Sequence, residues 1–253
     1  MICWVVERAL AARNVERAIV ATDDQRIEAA VKSAGYEAVM TRAEHRSGTD
    51  RIAEVAASIA DADIIVNVQG DEPLISPITI ERAIEAIAEE GKWEKGEKGK
   101  VEGVKEGIGI VTTWEAMDSA ADVLNPDVVK IVVDEHERAI YFSRSPVPYP
   151  RDAVSRHGSL EAAMSAEPAL LTSFRKHTGL YVYRREVLLK FAQWPQSALE
   201  RLESLEQLRA LEHGVNIKAI EASALSIGVD TIEDLERVRN IVEQEACSLE
   251  FKL

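Results

Sequence analysis

Apolar positions along the chain switch repeatedly between a helical and a strand period. Over residues 1–13, Ile2, Val5, Val6, Ala9 and Leu10 share one helical face. Arg17–Thr22 (RAIVAT) is a compact apolar run and predicts a buried strand. Asp24–Ala34 is helical again and stops at Gly35, a usual helix C-terminus. Glu37–Thr41 predicts a short strand and Thr49–Ile59 a helix. Asp63–Gln69 (DIIVNVQ) predicts a nearly continuous apolar strand of the kind that helices cover on both faces. Ser76–Glu90 is helical, with Ser76 as cap and Pro77 in the first turn. Strands alternating with helices at these lengths predict an α/β fold with a mostly parallel sheet.

The second half is less regular. Residues 91–107 (GKWEKGEKGKVEGVKEG) mix Gly, Lys and Glu and predict a flexible surface insertion. A strand is expected at Ile108–Thr113, a helix near Glu115–Leu124, and strands at Asp127–Val133 and Ala139–Ser143 that form a hairpin around Asp134–Arg138. Residues 145–172, with Pro146, Pro148, Pro150 and Pro168, are expected to be irregular. Arg175–Arg184 (RKHTGLYVYR) predicts a strand, followed by helices near Glu186–Gln193 and Leu199–His213, a strand at Val215–Glu221 and a closing helix at Ile232–Ala246. Residues from about 127 to 185 have a more antiparallel character than their flanks, so a subdomain or dimer arm is expected there within a single domain spanning 1–253.

Composition narrows the function classes. The chain has 253 residues, 46% hydrophobic and 29% charged, which suits an ordinary globule with a sizeable core. Thirty Lys and Arg against 44 Asp and Glu give a net charge of −14, which argues against a general nucleic-acid binder. No apolar run approaches the roughly 18 residues of a membrane span. Glu7 and Arg8 interrupt what would have to be the apolar core of a signal peptide. The two cysteines, Cys3 and Cys247, are too few for a disulfide framework, so the expected setting is the reducing cytoplasm.

Four stretches could carry chemistry. In VNVQGDEP (Val66–Pro73) an apolar strand runs out into Gly-Asp-Glu-Pro, and ligands of open α/β sheets sit beyond the carboxyl ends of strands. Asp71 is where a hard cation such as Mg²⁺ would find a carboxylate. The same residues also suit a plain turn. In GVDTIEDL (Gly228–Leu235), Thr231 and Asp234 match a capping pattern, and Asp230 could be no more than a neighbour of that cap. TRAEHRSGTDR (Thr41–Arg51) runs from a strand into a helix N-terminus, which favours anions and polar bases. Ser47 and Thr49 could simply be caps. Arg51, in the first turn, opposes the helix dipole and so suggests a further role. In SALERLESLEQLR (Ser197–Arg209), Leu199, Leu202, Leu205 and Leu208 supply the buried side. Glu200, Glu203 and Gln207 then share one face, either solvated or able to read sugar hydroxyls, and Ser197 with Glu200 matches a capping box. Arg144 and His177 are single polar residues in apolar context. The five histidines lack H-E-x-x-H spacing, and G-x-S-x-G is absent, so neither a zinc enzyme nor a hydrolase elbow is expected.

Taken in order, IVATDD (Ile19–Asp24), VMTRAEHRSGTDRIAEV (Val39–Val55), IVNVQGDEPLI (Ile65–Ile75), NPDVVKIVVD (Asn125–Asp134), YFSRSPVPYPRD (Tyr141–Asp152), HTGLYVYR (His177–Arg184), LERLESLEQLRALEHG (Leu199–Gly214) and GVDTIEDLERVR (Gly228–Arg239) resemble the 3-deoxy-manno-octulosonate cytidylyltransferase (CMP-Kdo synthetase) family over nearly the whole chain. The resemblance implies a Rossmann-like nucleotidyltransferase fold and a cytoplasmic homodimer. It also implies transfer of CMP from CTP to 3-deoxy-manno-octulosonate (Kdo) for lipopolysaccharide biosynthesis, with no nucleic-acid or membrane partner. By that likeness Asp71 and Asp230 are the catalytic carboxylates and ligate Mg²⁺. Ser47, Gly48, Arg51 and Gln69 line the cytidine site, and Arg144, His177, Tyr181, Glu200, Glu203 and Gln207 line the sugar-acid site.

The family places a buried strand and a basic, glycine-rich phosphate loop before the helix with which this chain opens. The expectation is therefore a chain lacking that segment, with weak CTP binding, low turnover and poor stability. A non-catalytic dimeric binding protein is the alternative. A CMP-sialate type of sugar-acid synthetase is another, although the Glu200–Gln207 helix and the HTGLYVYR strand look closer to the Kdo branch.

Overall fold

The computed structural model describes residues 1–89, 107–229 and 231–250. The insertion expected at 91–107 lies, except for Gly107, outside them, and so does Asp230. The described chain divides into two compact units, one of Met1–Ser58, Asn67–Arg82 and Ser223–Leu253, the other of Ile59–Val66 and Ala83–Ala222.

In the first unit, helix α1 (Ile2–Leu10), strand β1 (Ile19–Thr22), helix α2 (Gln25–Ser33), strand β2 (Glu37–Met40) and helix α3 (Gly48–Ser58) follow the predicted alternation. Strands β1 and β2 pair in parallel, from Ile19 opposite Glu37 to Thr22 opposite Met40. Helix α2 starts at a true cap, with the Asp24 carboxylate accepting from the Arg26 N–H, and it ends where Gly35 takes φ +85°. Val6, Val20, Val31 and Ala38 form the core, with Ile2, Ala18 and Tyr36 against it. Helix α11 (Ile232–Glu250) closes the unit. It opens on the predicted capping box, in which Thr231 Oγ1 accepts from the Asp234 N–H at 3.1 Å and the Asp234 carboxylate accepts from the Thr231 N–H at 3.1 Å.

The second unit is built on a mixed six-stranded sheet. Its strands are β3 (Ile64–Asn67, whose last residue falls to the first unit), β4 (Ile110–Ala116), β5 (Lys130–Val133), β6 (Ala139–Ser143), β7 (Arg175–Arg184) and β8 (Ile217–Glu221). The order is β6-β5-β7-β4-β8, with β3 also pairing β7. β4 is parallel to β8 and antiparallel to β7, while β5 is antiparallel to both β6 and β7. The β5–β6 pair is the hairpin expected around Asp134–Arg138, and its turn is held by Asp134 Oδ1, which accepts from the N–H groups of His136 and Arg138. Helix α4 (Pro77–Glu89), whose residues up to Arg82 fall to the first unit, precedes β4. Helix α8 (Arg185–Phe191) follows β7 and buries Val187, Leu188 and Phe191.

Three expectations are corrected. The strand expected at 108–113 begins later and continues to Ala116, so Glu115 is a strand residue. The following helix, α5 (Ala120–Leu124), starts only where the Ser119 hydroxyl caps it. Residues 145–172 are not irregular. They hold helices α6 (Arg151–His157) and α7 (Leu160–Ala166) and a 3-10 helix, Pro168–Ser173. Pro150 and Pro168 sit at helix starts, where proline is tolerated, and Gly158 at φ +85° separates α6 from α7. Met164 of this segment and Phe174 just after it form a core cluster with Met117 and Val123. Lastly, the helix expected over Leu199–His213 is two helices, α9 (Ala198–Glu203) and α10 (Gln207–Glu212), broken at Ser204 with φ +52°.

Gly109 enters β4 at a point with no room for a side chain. A Cβ there would lie 2.8 Å from Val215 Cγ1 and 3.3 Å from Val187 Cγ2. Gly109→Ala is expected to destabilise the chain by about 1–3 kcal/mol in urea denaturation, and adding Val215→Ala should recover part of the loss. An unchanged midpoint would show that the contact is not tight.

Candidate functional site

The candidate residues fall into two groups, one in each unit. In the first unit, α3 opens at Ser47, whose Oγ accepts from the Asp50 N–H at 3.2 Å and whose carbonyl accepts from the Arg51 N–H at 3.3 Å. Ser47 is therefore the cap that its sequence allowed. Gly48 and the buried Thr49 begin an 11-residue helix whose N-terminal dipole favours negative or acceptor groups. Arg51 does not oppose that dipole unassisted. Its guanidinium reaches back to Asp23 at 3.1 Å, to Thr41 Oγ1 at 2.5 Å and to the Arg42 carbonyl at 3.5 Å. The loop before the helix is anchored by Glu54, whose carboxylate binds both His45 and Arg42. These contacts, that of His45 first, hold the Glu54 carboxyl below its ordinary range.

At the carboxyl end of β3, Gln69 Nε2 donates to Asn67 Oδ1 at 3.4 Å. Asn67 is buried, and its Nδ2 has no hydrogen-bond partner among the described residues, an unusual condition for a buried amide. Asp71 is exposed, and its carbonyl accepts from the Val229 N–H at 2.8 Å. The neighbouring Glu72 carboxylate accepts from the Ser226 hydroxyl at 3.2 Å. The turn after β3 is thus fastened to the segment that leads to position 230.

In the second unit, β7 carries His177 and Tyr181 beside an irregularity in its pairing with β4. Thr112 lies opposite Tyr181 but Thr113 lies opposite Thr178, so β7 has extra residues at Gly179–Leu180. The His177 ring meets Phe142 edge-on at 5.0 Å and Tyr181 at 5.3 Å, and its Nε2 lies 2.9 Å from Thr112 Oγ1. Desolvation pushes the imidazole pKa down to about 3, so the ring is neutral at physiological pH. Burial, with Tyr183 and Glu206 beside it, raises the Tyr181 phenol well above its ordinary range and keeps it a neutral O–H.

The break between α9 and α10 sends the three helix residues in different directions. Glu200 completes the capping box with Ser197 and makes a buried bidentate pair with Arg209, at 2.8 and 2.5 Å. Burial alone would push the Glu200 carboxyl up, but Arg209 and the Ser197 N–H outweigh it and hold the group below its ordinary range. Arg209 also lies 4.4 Å over the Phe191 ring. Glu203 turns to β6, accepting from the Ser143 hydroxyl at 2.8 Å and the Arg144 N–H at 2.9 Å. Arg144 spends its guanidinium on the carbonyls of Glu203 at 2.7 Å, Pro126 at 2.9 Å and Ser204 at 3.4 Å. Gln207 is buried. The shared face expected from i, i+3, i+7 spacing therefore does not form. Leu202, expected on the buried side, is 81% exposed.

Sequence reasoning missed Lys130, Thr112, Glu206 and Asn67. Lys130 is fully buried, and its ammonium donates to the carbonyls of Asn125 at 2.8 Å and Val128 at 2.6 Å. Burial and the nearby Arg144 push its pKa down, against an opposing pull from Glu203. A lysine inside VVKIVV is the one signal that could have marked it. The others depend on tertiary neighbours.

Polar residues stand at the carboxyl end of a strand and at a helix N-terminus, the places where open α/β folds bind ligands. A family model described as cytidylyltransferase matches residues 1–220, and the chain belongs to that family. It is 48% identical to a 3-deoxy-manno-octulosonate cytidylyltransferase of Geotalea daltonii, covering 94% of this chain and 86% of that one. A protein of the same name from Escherichia coli is 40% identical, covering 97% and 86%. The solved structure of CMP:2-keto-3-deoxy-manno-octonic acid synthetase complexed with CTP superposes with a TM-score of 0.77 at 40% identity, covering 96% of this chain and 88% of that one. A 4-diphosphocytidyl-2C-methyl-D-erythritol synthase from Anaerococcus prevotii, at 11% identity and a TM-score of 0.54, shares the fold.

The Glu200–Arg209 pair gives a direct test of the second group. Arg209→Met strands a buried carboxylate and is expected to cost about 3–5 kcal/mol in urea denaturation, whereas Glu200→Leu with Arg209→Met should recover the larger part. Equal losses in the single and double variants would mean that the pair is not coupled.

Proposed function

We propose that the chain transfers CMP from CTP to the anomeric hydroxyl of Kdo, giving CMP-Kdo and pyrophosphate, and that it does so in the cytoplasm as a step of lipopolysaccharide biosynthesis. The observation that carries this reading is the 40% identity and TM-score of 0.77 to a CTP-complexed synthetase across 96% of the chain. Among the described residues no helix is long and apolar enough to cross a membrane.

In this reading Ser47, Gly48, Arg51 and Gln69 hold the cytidine, using the start of α3 and the carboxyl end of β3. Arg51, braced by Asp23 and Thr41, has a fixed guanidinium for the polar edge of the base. His177, Tyr181 and Gln207 contact the sugar acid. Arg144, Glu200 and Glu203 are engaged with protein partners and act on the sugar by shaping its site. The anomeric oxygen attacks the α-phosphorus, the bond to the β-phosphate oxygen breaks, and the hydroxyl proton is released to solvent. Such phosphoryl chemistry rests mostly on positioning and charge stabilisation.

Asp71 and Asp230 would hold Mg²⁺. Mg²⁺ prefers one or two carboxylates and completes its shell with water and phosphate oxygens, which suits an exposed aspartate at a strand end. The ion would neutralise charge on the triphosphate and the leaving group. A homodimer through the arm at 127–185 is favoured by apolar side chains left open in this unit, Ile140 on the edge strand β6 at 59% exposure and Tyr149 at 61%.

With CTP, Kdo and Mg²⁺ the purified chain is expected to release pyrophosphate only when Kdo is present and to yield CMP-Kdo by mass spectrometry. Chelation should abolish turnover, Mg²⁺ should restore it, and Asp71→Asn should lower it at least about 100-fold. Turnover that is independent of Kdo, or unaffected by chelation, would contradict the reading.

A further inference from the structure

The hydroxyl of Thr112 has one proton, and the geometry decides where it goes. Thr112 Oγ1 lies 2.8 Å from the Leu180 carbonyl and 2.9 Å from His177 Nε2. A carbonyl oxygen can only accept, so the Thr112 proton is directed to Leu180. The second contact is then favourable only if Nε2 carries a hydrogen and donates it to the Thr112 oxygen. A neutral imidazole has one N–H, so its Nδ1 is left as a lone pair. The Thr112 side chain is buried, and the His177 ring is boxed by Phe142 and Tyr181 while its main-chain N–H is tied to the Val129 carbonyl at 2.8 Å. The ring has little freedom to choose another partner for Nε2. His177 as a whole is half-buried rather than sealed.

We propose that Thr112 is a positioning residue that fixes His177 as the Nε2–H tautomer, so that the ring offers Nδ1 as a hydrogen-bond acceptor to a hydroxyl of the sugar and not a cation to its carboxylate. This rests on the sugar-acid reading of the preceding section and gives it a chemical direction. A carboxylate has no proton to donate to a lone pair, whereas a polyhydroxylated sugar has several. The pairing irregularity between β4 and β7 is the structural source of the arrangement, because it brings the Leu180 carbonyl and the His177 ring to the same threonine.

The test reads the ring and the sugar separately. Long-range proton–nitrogen NMR of the full chain, with His177 assigned by its loss in His177→Gln, is expected to show a neutral Nε2–H tautomer at pH 7. Adding Kdo should move the Nδ1 signal and leave Nε2 nearly in place. Thr112→Val, which keeps the shape and removes both hydrogen bonds, should mix the tautomers. It should raise KM for Kdo about tenfold, with kcat and KM for CTP within about twofold. Thr112→Ser should restore the tautomer and KM. An Nδ1–H tautomer or an imidazolium in the unsubstituted chain would overturn the proposal even if Thr112→Val failed to fold. So would a Thr112→Val chain that keeps both the tautomer and KM. If the unsubstituted chain shows the Nε2–H tautomer but transfers no CMP to Kdo, the functional reading falls while the Thr112 assignment is supported.

Discussion

The antiparallel pairing of β4 with β7 is the constraint on which the second unit depends. β7 lies between β4 and β5 and also pairs with β3, so its register sets the positions of all three. That register is interrupted at Thr112–Thr113, and the interruption is satisfied by side chains. Thr112 serves the Leu180 carbonyl, and Thr113 and Thr178 join their hydroxyls in the buried interior. A buried polar group without a partner costs about 1–3 kcal/mol. The threonines are thus what makes the irregularity affordable, and the irregularity is what sets His177 and Tyr181 in place.

A second discontinuity works in the same way. A continuous helix from Ala198 to Glu212 would have aligned Glu200, Glu203 and Gln207. Ser204 in the left-handed region stops α9 after six residues and frees each residue for a different task. Glu200 turns inward to Arg209, Glu203 ties the break to β6 through Ser143 and Arg144, and Gln207 starts α10. Arg144 in turn holds the Pro126 turn and the Ser204 break together through their carbonyls. Lys130, buried below, holds the same turn through Asn125 and Val128. The polar residues named here form a frame that holds the helix break, β6 and the 125–128 turn together.

Much of this was legible in the sequence, for reasons that also explain what was not. The alternation of periods gave β1, α2, β6 and β7 nearly to the residue, because apolar runs and caps such as Asp24 and Gly35 are local signals. The helices at 151–166 were missed because their prolines suggested disorder of pattern, while the residues that bury them, Met117 and Val123, are distant in sequence. The break at Ser204 was missed because the leucine spacing continues across it, and no residue there announces a left-handed turn. Ser47 and Asp71 were singled out as candidates by their motif context, and Gln69 by the family resemblance. Thr112, Lys130 and Asn67 act through tertiary partners and had almost no sequence signal. The likeness of many short segments in a fixed order, rather than any one motif, carried the functional expectation.

The central claim is that the polar frame around β7 is a sugar-acid site in which His177 meets a hydroxyl. A crystal structure of the chain with Kdo tests it most directly. The account predicts the sugar against His177, Tyr181 and Gln207, with a hydroxyl within hydrogen-bond distance of His177 Nδ1 and the carboxylate turned away from that ring. A sugar bound elsewhere, or one whose carboxylate sits on His177, would contradict it.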